Sequence, residues 1–128
     1  MRILLDTHVF VWAVSDHPKL SREAREVMEE AAEVYVSAAS LWEIAIKSRL
    51  GKIDADPEAL AYAIEESGFV ELPVSALHAA HVRKLPDDGS HKDPFDRLLV
   101  AQSMSEPLVL LTVDAKLVSY GGLVRCVS

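Results

Sequence analysis

Residues 2–8 read Arg-Ile-Leu-Leu-Asp-Thr-His, a short apolar run halted at once by a carboxylate, Asp6. Runs of the same kind recur at 34–36 (VYV), 69–72 (FVEL), 108–111 (LVLL) and 123–127 (LVRCV), and these are the strand candidates. Helical patterns fill the intervals at about 21–33, 39–50, 56–67, 75–84 and 94–105. Strands alternating with helices predict βαβ units and a mainly parallel sheet with helices on both faces. The expected fold class is therefore α/β, a three-layer α/β/α sandwich. In such a sheet, residues that end different strands converge on one crevice at the carboxyl edge, and function is to be sought there.

Local punctuation supports these boundaries. Ser21 precedes Arg22-Glu23-Ala24 as a helix cap, Gly51 and Gly68 stand as stops, and Asp56-Pro57-Glu58 opens another helix. The long polar stretch is Leu85 to Asp93 (LPDDGSHKD), which runs into the helix that carries Asp96 and is expected to flex beside the site.

With 128 residues, half of them apolar and 6% aromatic, the chain has the core material for a single domain over 1–128. The lone Cys126 excludes an intramolecular disulfide. Asp6 and His8 interrupt what a secretory leader would keep apolar, and no apolar run approaches the roughly 20 residues of a membrane span. A cytoplasmic protein without a membrane partner is expected. The net charge of −7 argues against nucleic acid held by a basic stripe. It leaves open a phosphodiester held at a metal site, because divalent cations in an acidic pocket reverse the local field.

The acids that could build such a pocket are Asp6, Glu43, Asp96 and Asp114. Asp6 and Asp114 follow strand-like runs, and either could simply cap the next helix. Asp93 before Pro94 is the natural cap of its helix, which leaves Asp96 without that duty and with only the helix dipole as an ordinary role. Glu43 lies in SLWEIAIKSRLG, a helix so apolar that its polar stripe is only Ser40, Glu43 and Lys47. An exposed Glu-to-Lys pair there is worth a few tenths of a kcal/mol. A helix buried on two sides would instead force the carboxylate to be paired, neutralised or coordinated. Four carboxylates drawn to one edge repel one another and call for a cation. Oxygen ligands without cysteine point to Mg²⁺ or Mn²⁺, and that chemistry is phosphodiester hydrolysis.

Among the remaining candidates, Thr7 is placed to share a cap or touch a ligand, and Lys47, Arg49, Lys52, Arg97 and Lys116 are potential phosphate contacts. His78 and His81 share a helical face without a third ligand and are read as partly exposed structural residues, while His8 and His91 fall nearer the pocket.

Taken together, LLDTHVFVWA, SAASLWEIAIKSRLGK, HKDPFDRLLVAQ and LLTVDAKL, in that order, resemble the PIN-domain ribonucleases, and within them the VapC-type toxins of toxin–antitoxin pairs. The resemblance covers nearly the whole chain. It implies a PIN-like fold and makes Asp6, Glu43 and Asp96 the metal-coordinating acids, with Asp114 a fourth and Thr112 a hydroxyl beside them. It further implies Mg²⁺- or Mn²⁺-dependent cleavage of RNA, a cognate antitoxin partner and a homodimer, with the apolar surface around Trp42 and Ile46 as a contact for one of these. On this reading Thr7, Lys47, Arg97 and Thr112 would meet the substrate. Two departures from the family pattern stand out: an insertion, Asp87-Asp88-Gly89-Ser90, before His91, and Ser103 where a small apolar residue is usual.

Two rival readings remain at the level of sequence. An aspartate-based phosphotransferase also places acids at strand ends, but Thr-His-Val follows Asp6 without the second acid expected two residues on. A non-catalytic module of the same fold would use the acids to bind metal or a partner without turnover.

Overall fold

A computed structural model describes residues 1–86 and 92–128. It contains strands β1 (Arg2–Leu5), β2 (Glu33–Ser37), β3 (Val70–Leu72), β4 (Val109–Thr112) and β5 (Val124–Cys126). They form one sheet in the order β3-β2-β1-β4-β5 with every neighbouring pair parallel. Leu4 of β1 lies opposite Tyr35 of β2 and Leu110 of β4. The sheet is thus parallel throughout.

Helices α1 (Thr7–Val14), α2 (Arg22–Glu30), α3 (Ala38–Arg49), α4 (Pro57–Glu66), α5 (Ala76–His81) and α6 (Pro94–Ser105) connect the strands, with 3-10 turns at Val82–Lys84 and Ala115–Tyr120. The expected caps form: Ser21 accepts from the Ala24 amide, Asp56 from Glu58, and Asp93 from Phe95 and Asp96. Gly51 and Gly68 end their helices with φ of 74° and 78°, a left-handed conformation that costs glycine little. Helix α1 is the element that periodicity did not reveal. Its sequence, THVFVWAV, is apolar nearly throughout and rich in β-branched residues, so neither propensity nor alternation marks it as helical. The Asp6 side chain, accepting from the Thr7 amide, starts the helix, and burial of Val9 and Phe10 holds it.

The sheet separates two cores. Ile3 and Leu5 of β1 pack with Val9 and Phe10 of α1, Ala24 and Val27 of α2, and Leu60 and Ile64 of α4. Leu4 faces the other way and packs with Leu99 and Val100 of α6 and with Leu110 and Leu117. All three β1 leucine and isoleucine side chains are fully buried, as expected of a central parallel strand covered on both sides. This is the expected three-layer arrangement. Among the described residues no helix is long and apolar enough to cross a membrane.

The strand order also locates the crevice. From β1 the chain steps outward through β2 to β3, then returns to place β4 on the opposite side of β1. The order therefore reverses between β1 and β4, and a crevice opens at the carboxyl ends of that pair. Asp6 follows β1 and Asp114 follows β4 at this point.

Candidate active site

Asp6 is 6% exposed. Its Oδ1 accepts the Thr7 amide at 2.8 Å, and its Oδ2 accepts the Thr112 hydroxyl at 2.6 Å. Capping and site formation are therefore not alternatives, because one carboxylate does both. Burial pushes the Asp6 carboxyl above its ordinary value of 3.8; the bonds from Thr112 and Thr7 and the nearby His8 pull it back, and the charge of Glu43 adds to the rise.

Glu43 is the sixth residue of α3 and is 4% exposed. Its Oε1 accepts the Thr7 hydroxyl at 2.7 Å, its Oε2 receives the Lys47 ammonium, and the Thr7 and Ser40 hydroxyls lie 2.9 Å apart. The i,i+4 pair read from sequence is present, but its acid is buried while Lys47 is about a third exposed. The bond to Glu43 raises the Lys47 pKa above 10.5 against the opposing effect of burial, with the charges of Asp93 and Asp96 contributing. The polar stripe of α3 thus points inward. Trp42, Ile46 and Leu50, at 60%, 38% and 62% exposure, point outward while Ala39 and Ile44 are buried, so part of the apolar surface of the helix faces solvent. Trp42 rests edge-on against Phe95 of α6, with ring centroids 5.0 Å apart.

The remaining acids come from α6 and from the end of β4. Asp93 caps α6, which puts Asp96 at its third position, and Asp114 accepts the Lys116 amide at 3.0 Å while its own amide donates to Thr112. One cavity of about 130 Å³ is lined by Asp6, Glu43, Asp96 and Asp114 together with His8, Lys47, Asp93 and Val113. All four acids singled out from the sequence thus meet at one place. Asp93 joins them although its spacing before Pro94 signalled only a cap, and nothing else in the sequence marked it.

Thr7 and Thr112 touch the acids from behind and do not line the cavity; each fixes a carboxylate rather than facing a substrate. Arg97 is not at the site. One residue beyond Asp96 it points to a different side of α6, where its guanidinium donates to the Tyr120 hydroxyl at 2.9 Å and lies over that ring. His78, expected to be partly exposed, is buried: its Nδ1 accepts the Ser75 amide and its Nε2 meets Glu106 at 2.6 Å, which makes it a core histidine. Ser103 is explained by its hydroxyl, which donates to the Leu108 carbonyl at 2.5 Å. The inserted residues 87–90 and His91 lie outside the described residues.

The donor set consists of carboxylate oxygens, the ligands of hard divalent cations. Among the described residues no three ligand side chains are already gathered into a cage. The Lys47 ammonium supplies positive charge to Glu43, and hydroxyl and amide donors occupy Asp6. A cation would compete with Lys47 for Glu43. In donor chemistry the residues lining the cavity fit such an ion.

Comparison with known proteins agrees with this architecture. The chain is 29% identical over 119 residues to ribonuclease VapC22 of Mycobacterium tuberculosis, spanning 92% of this chain and 91% of that protein. It superposes on the structure of VapBC2 from Rickettsia felis, solved bound to a DNA fragment from their promoter, with a TM-score of 0.74 at 18% identity over 98% of each chain. A toxin–antitoxin complex from Klebsiella pneumoniae gives a TM-score of 0.68 at 20% identity over 96% of this chain and 95% of that one. At such identities the superpositions speak to fold. The sequence model of the PIN domain matches residues 3–123, and the chain belongs to the PIN-domain family.

Proposed function

We propose that this protein is a VapC-type endoribonuclease, dependent on Mg²⁺ or Mn²⁺, that acts as the toxin of a toxin–antitoxin pair in the cytoplasm. The observation that carries the reading is the single cavity at the β1/β4 switch point into which Asp6, Glu43, Asp96 and Asp114 all open. Family membership and the likeness to a protein named as a ribonuclease support it.

On this reading Asp6, Glu43, Asp96 and Asp114 hold the ion. A divalent cation supplies an activated water and neutralises charge on the leaving oxygen of the phosphodiester. Thr112 orients Asp6 and Thr7 orients Glu43, so the two most buried acids are aimed before substrate arrives. Lys47, on the cavity wall, offers its ammonium to a phosphate oxygen. The outward face of Trp42, Ile46 and Leu50 provides an apolar contact for the antitoxin or for a second copy of the chain.

The test is cleavage of total cellular RNA by purified protein in Mg²⁺ or Mn²⁺, beside EDTA and Asp6→Asn controls prepared identically. Discrete cuts that vanish in both controls are expected. Absence of cuts with every metal, in protein that remains folded, would favour a binding module of the same fold.

A further inference from the structure

A second and larger cavity adjoins the acidic one. It measures about 610 Å³, within the roughly 300–1,000 Å³ usual for ligand pockets, and His8 lines both cavities. Its wall carries a run of rings: His8 and Trp12 have centroids 6.0 Å apart, tilted by 51°, and Trp12 and His17 are stacked at 5.9 Å with 25° between planes. His8 and Trp12 are four apart on α1 and so share a face.

The third ring is held by a built turn. Asp16 takes a positive φ of 50° and pairs with Arg25 at 2.6 Å, and the His17 amide donates to the Trp12 carbonyl at 2.9 Å. The Lys19 amide donates to His17 Nδ1 at 3.0 Å, which fixes the plane of that imidazole. Trp12 packs partly against the core, yet it and His17 are only half-buried and His8 is exposed, so the three rings keep accessible surface. Lys52 and Asp54 also line this cavity.

We propose that this ring shelf and Lys52 form a nucleotide subsite, in which an unpaired base of the RNA stacks beside the phosphodiester held at the acids. The inference rests on the nuclease reading above. Rings tolerate any base because every base has a π face, and a neighbouring cation takes the phosphate. Continuity through His8 makes the shelf the adjoining space for the next nucleotide of a strand whose phosphate lies at Asp6.

Two measurements test this. In a Trp42→Phe protein, Trp12 is the sole tryptophan, and its fluorescence is followed in EDTA during titration with short random-sequence single-stranded RNA and with the matching duplex. Saturable quenching by the single strand and not the duplex is expected. In the cleavage assay, Trp12→Leu should raise KM about 5- to 150-fold, the range of one lost base stack, with kcat within about twofold, and Trp12→Phe should restore most of the loss. Cleavage with an unchanged KM and no quenching overturns the subsite and leaves the nuclease intact. Quenching without any cleavage keeps the subsite and rejects the nuclease. Quenching by the antitoxin and not by RNA makes this a protein-docking cavity and overturns the proposal.

Discussion

Replacing Thr112 by valine keeps the shape of a fully buried side chain and removes one hydroxyl. That hydroxyl donates to Asp6 Oδ2 at 2.6 Å and accepts from the Asp114 amide at 3.0 Å. A hydrogen bond to a charged group contributes about 1.5–3 kcal/mol, against about 0.5–1.5 for a neutral one. At neutral pH the variant should therefore lose about 1.5–3 kcal/mol, which for a chain of this size lowers Tm by roughly 5–15 °C. The cost should depend on pH with a definite sign. Burial holds the Asp6 carboxyl above 3.8 in the fold, and the Thr112 bond pulls it down, so loss of the bond lets it climb further. The charged part of the bond is present above the folded pKa of Asp6 and disappears as the pH falls through it. Urea or thermal unfolding of both proteins in EDTA, from neutral pH down to about 4, measures the difference. A loss under about 0.5 kcal/mol at neutral pH, or one equally large at every pH, would refute the claim that Thr112 holds an ionised Asp6.

Asp6→Asn should abolish cleavage and, although its amide gives up one of the two accepting oxygens, should gain stability relative to wild type as the pH rises. The folded carboxyl titrates above its unfolded value, so ionised Asp6 opposes folding as the pH rises through that folded pKa and the amide does not; a stability difference that stays constant with pH in EDTA would contradict it. Lys47→Met leaves Glu43 buried without its ammonium partner and should cost about 1–3 kcal/mol, less than the 3–5 of a fully buried pair because Lys47 is partly exposed. Added Mn²⁺ should raise the Tm of that variant more than that of wild type, and an equal rise in both would place the ion elsewhere. Trp42→Glu should cost no more than about 1.5 kcal/mol, the worth of its edge-on contact with Phe95, while sharply weakening antitoxin capture in a pull-down; undiminished capture would remove this face from the interface.

The strands were legible because each is a short apolar run: 2–5 was placed to the residue, and 34–36 and 108–111 to within one residue of β2 and β4 at each end. Their order was not, since it depends on which runs pair across the molecule and no local pattern encodes that. Helix α1 escaped because an apolar, β-branched sequence has no period to read, and only the Asp6 cap and burial of Val9 and Phe10 decide it. The four acids that line one cavity were singled out by their positions after strands and on helices, whereas Asp93, on the same cavity, was hidden by a sufficient ordinary role as a cap. His78 misled for a related reason: its partners Ser75 and Glu106 include a residue 28 positions away in the chain.

Helix α3 shows most directly why sequence alone could not complete the site. Its narrow polar stripe, Ser40, Glu43 and Lys47, would face water in an ordinary surface helix, with Trp42, Ile46 and Leu50 against the core. The structure reverses this, and the reversal follows from where the polar partners are. Thr7, at the start of α1, can satisfy Glu43 only if Glu43 faces the sheet, and Lys47 comes with it one turn later. A buried carboxylate that lost these partners would be far costlier than three apolar side chains left in water, because each of those forfeits at most about 1.5–3 kcal/mol. The acid pocket, together with burial of Ile44, sets the orientation of α3, and exposure of Trp42, Ile46 and Leu50 follows from it. Glu43 and the exposed Trp42 and Ile46 belong to one helix, so a partner that covers Trp42 and Ile46 necessarily sits on the element that aims Glu43 into the acidic cavity.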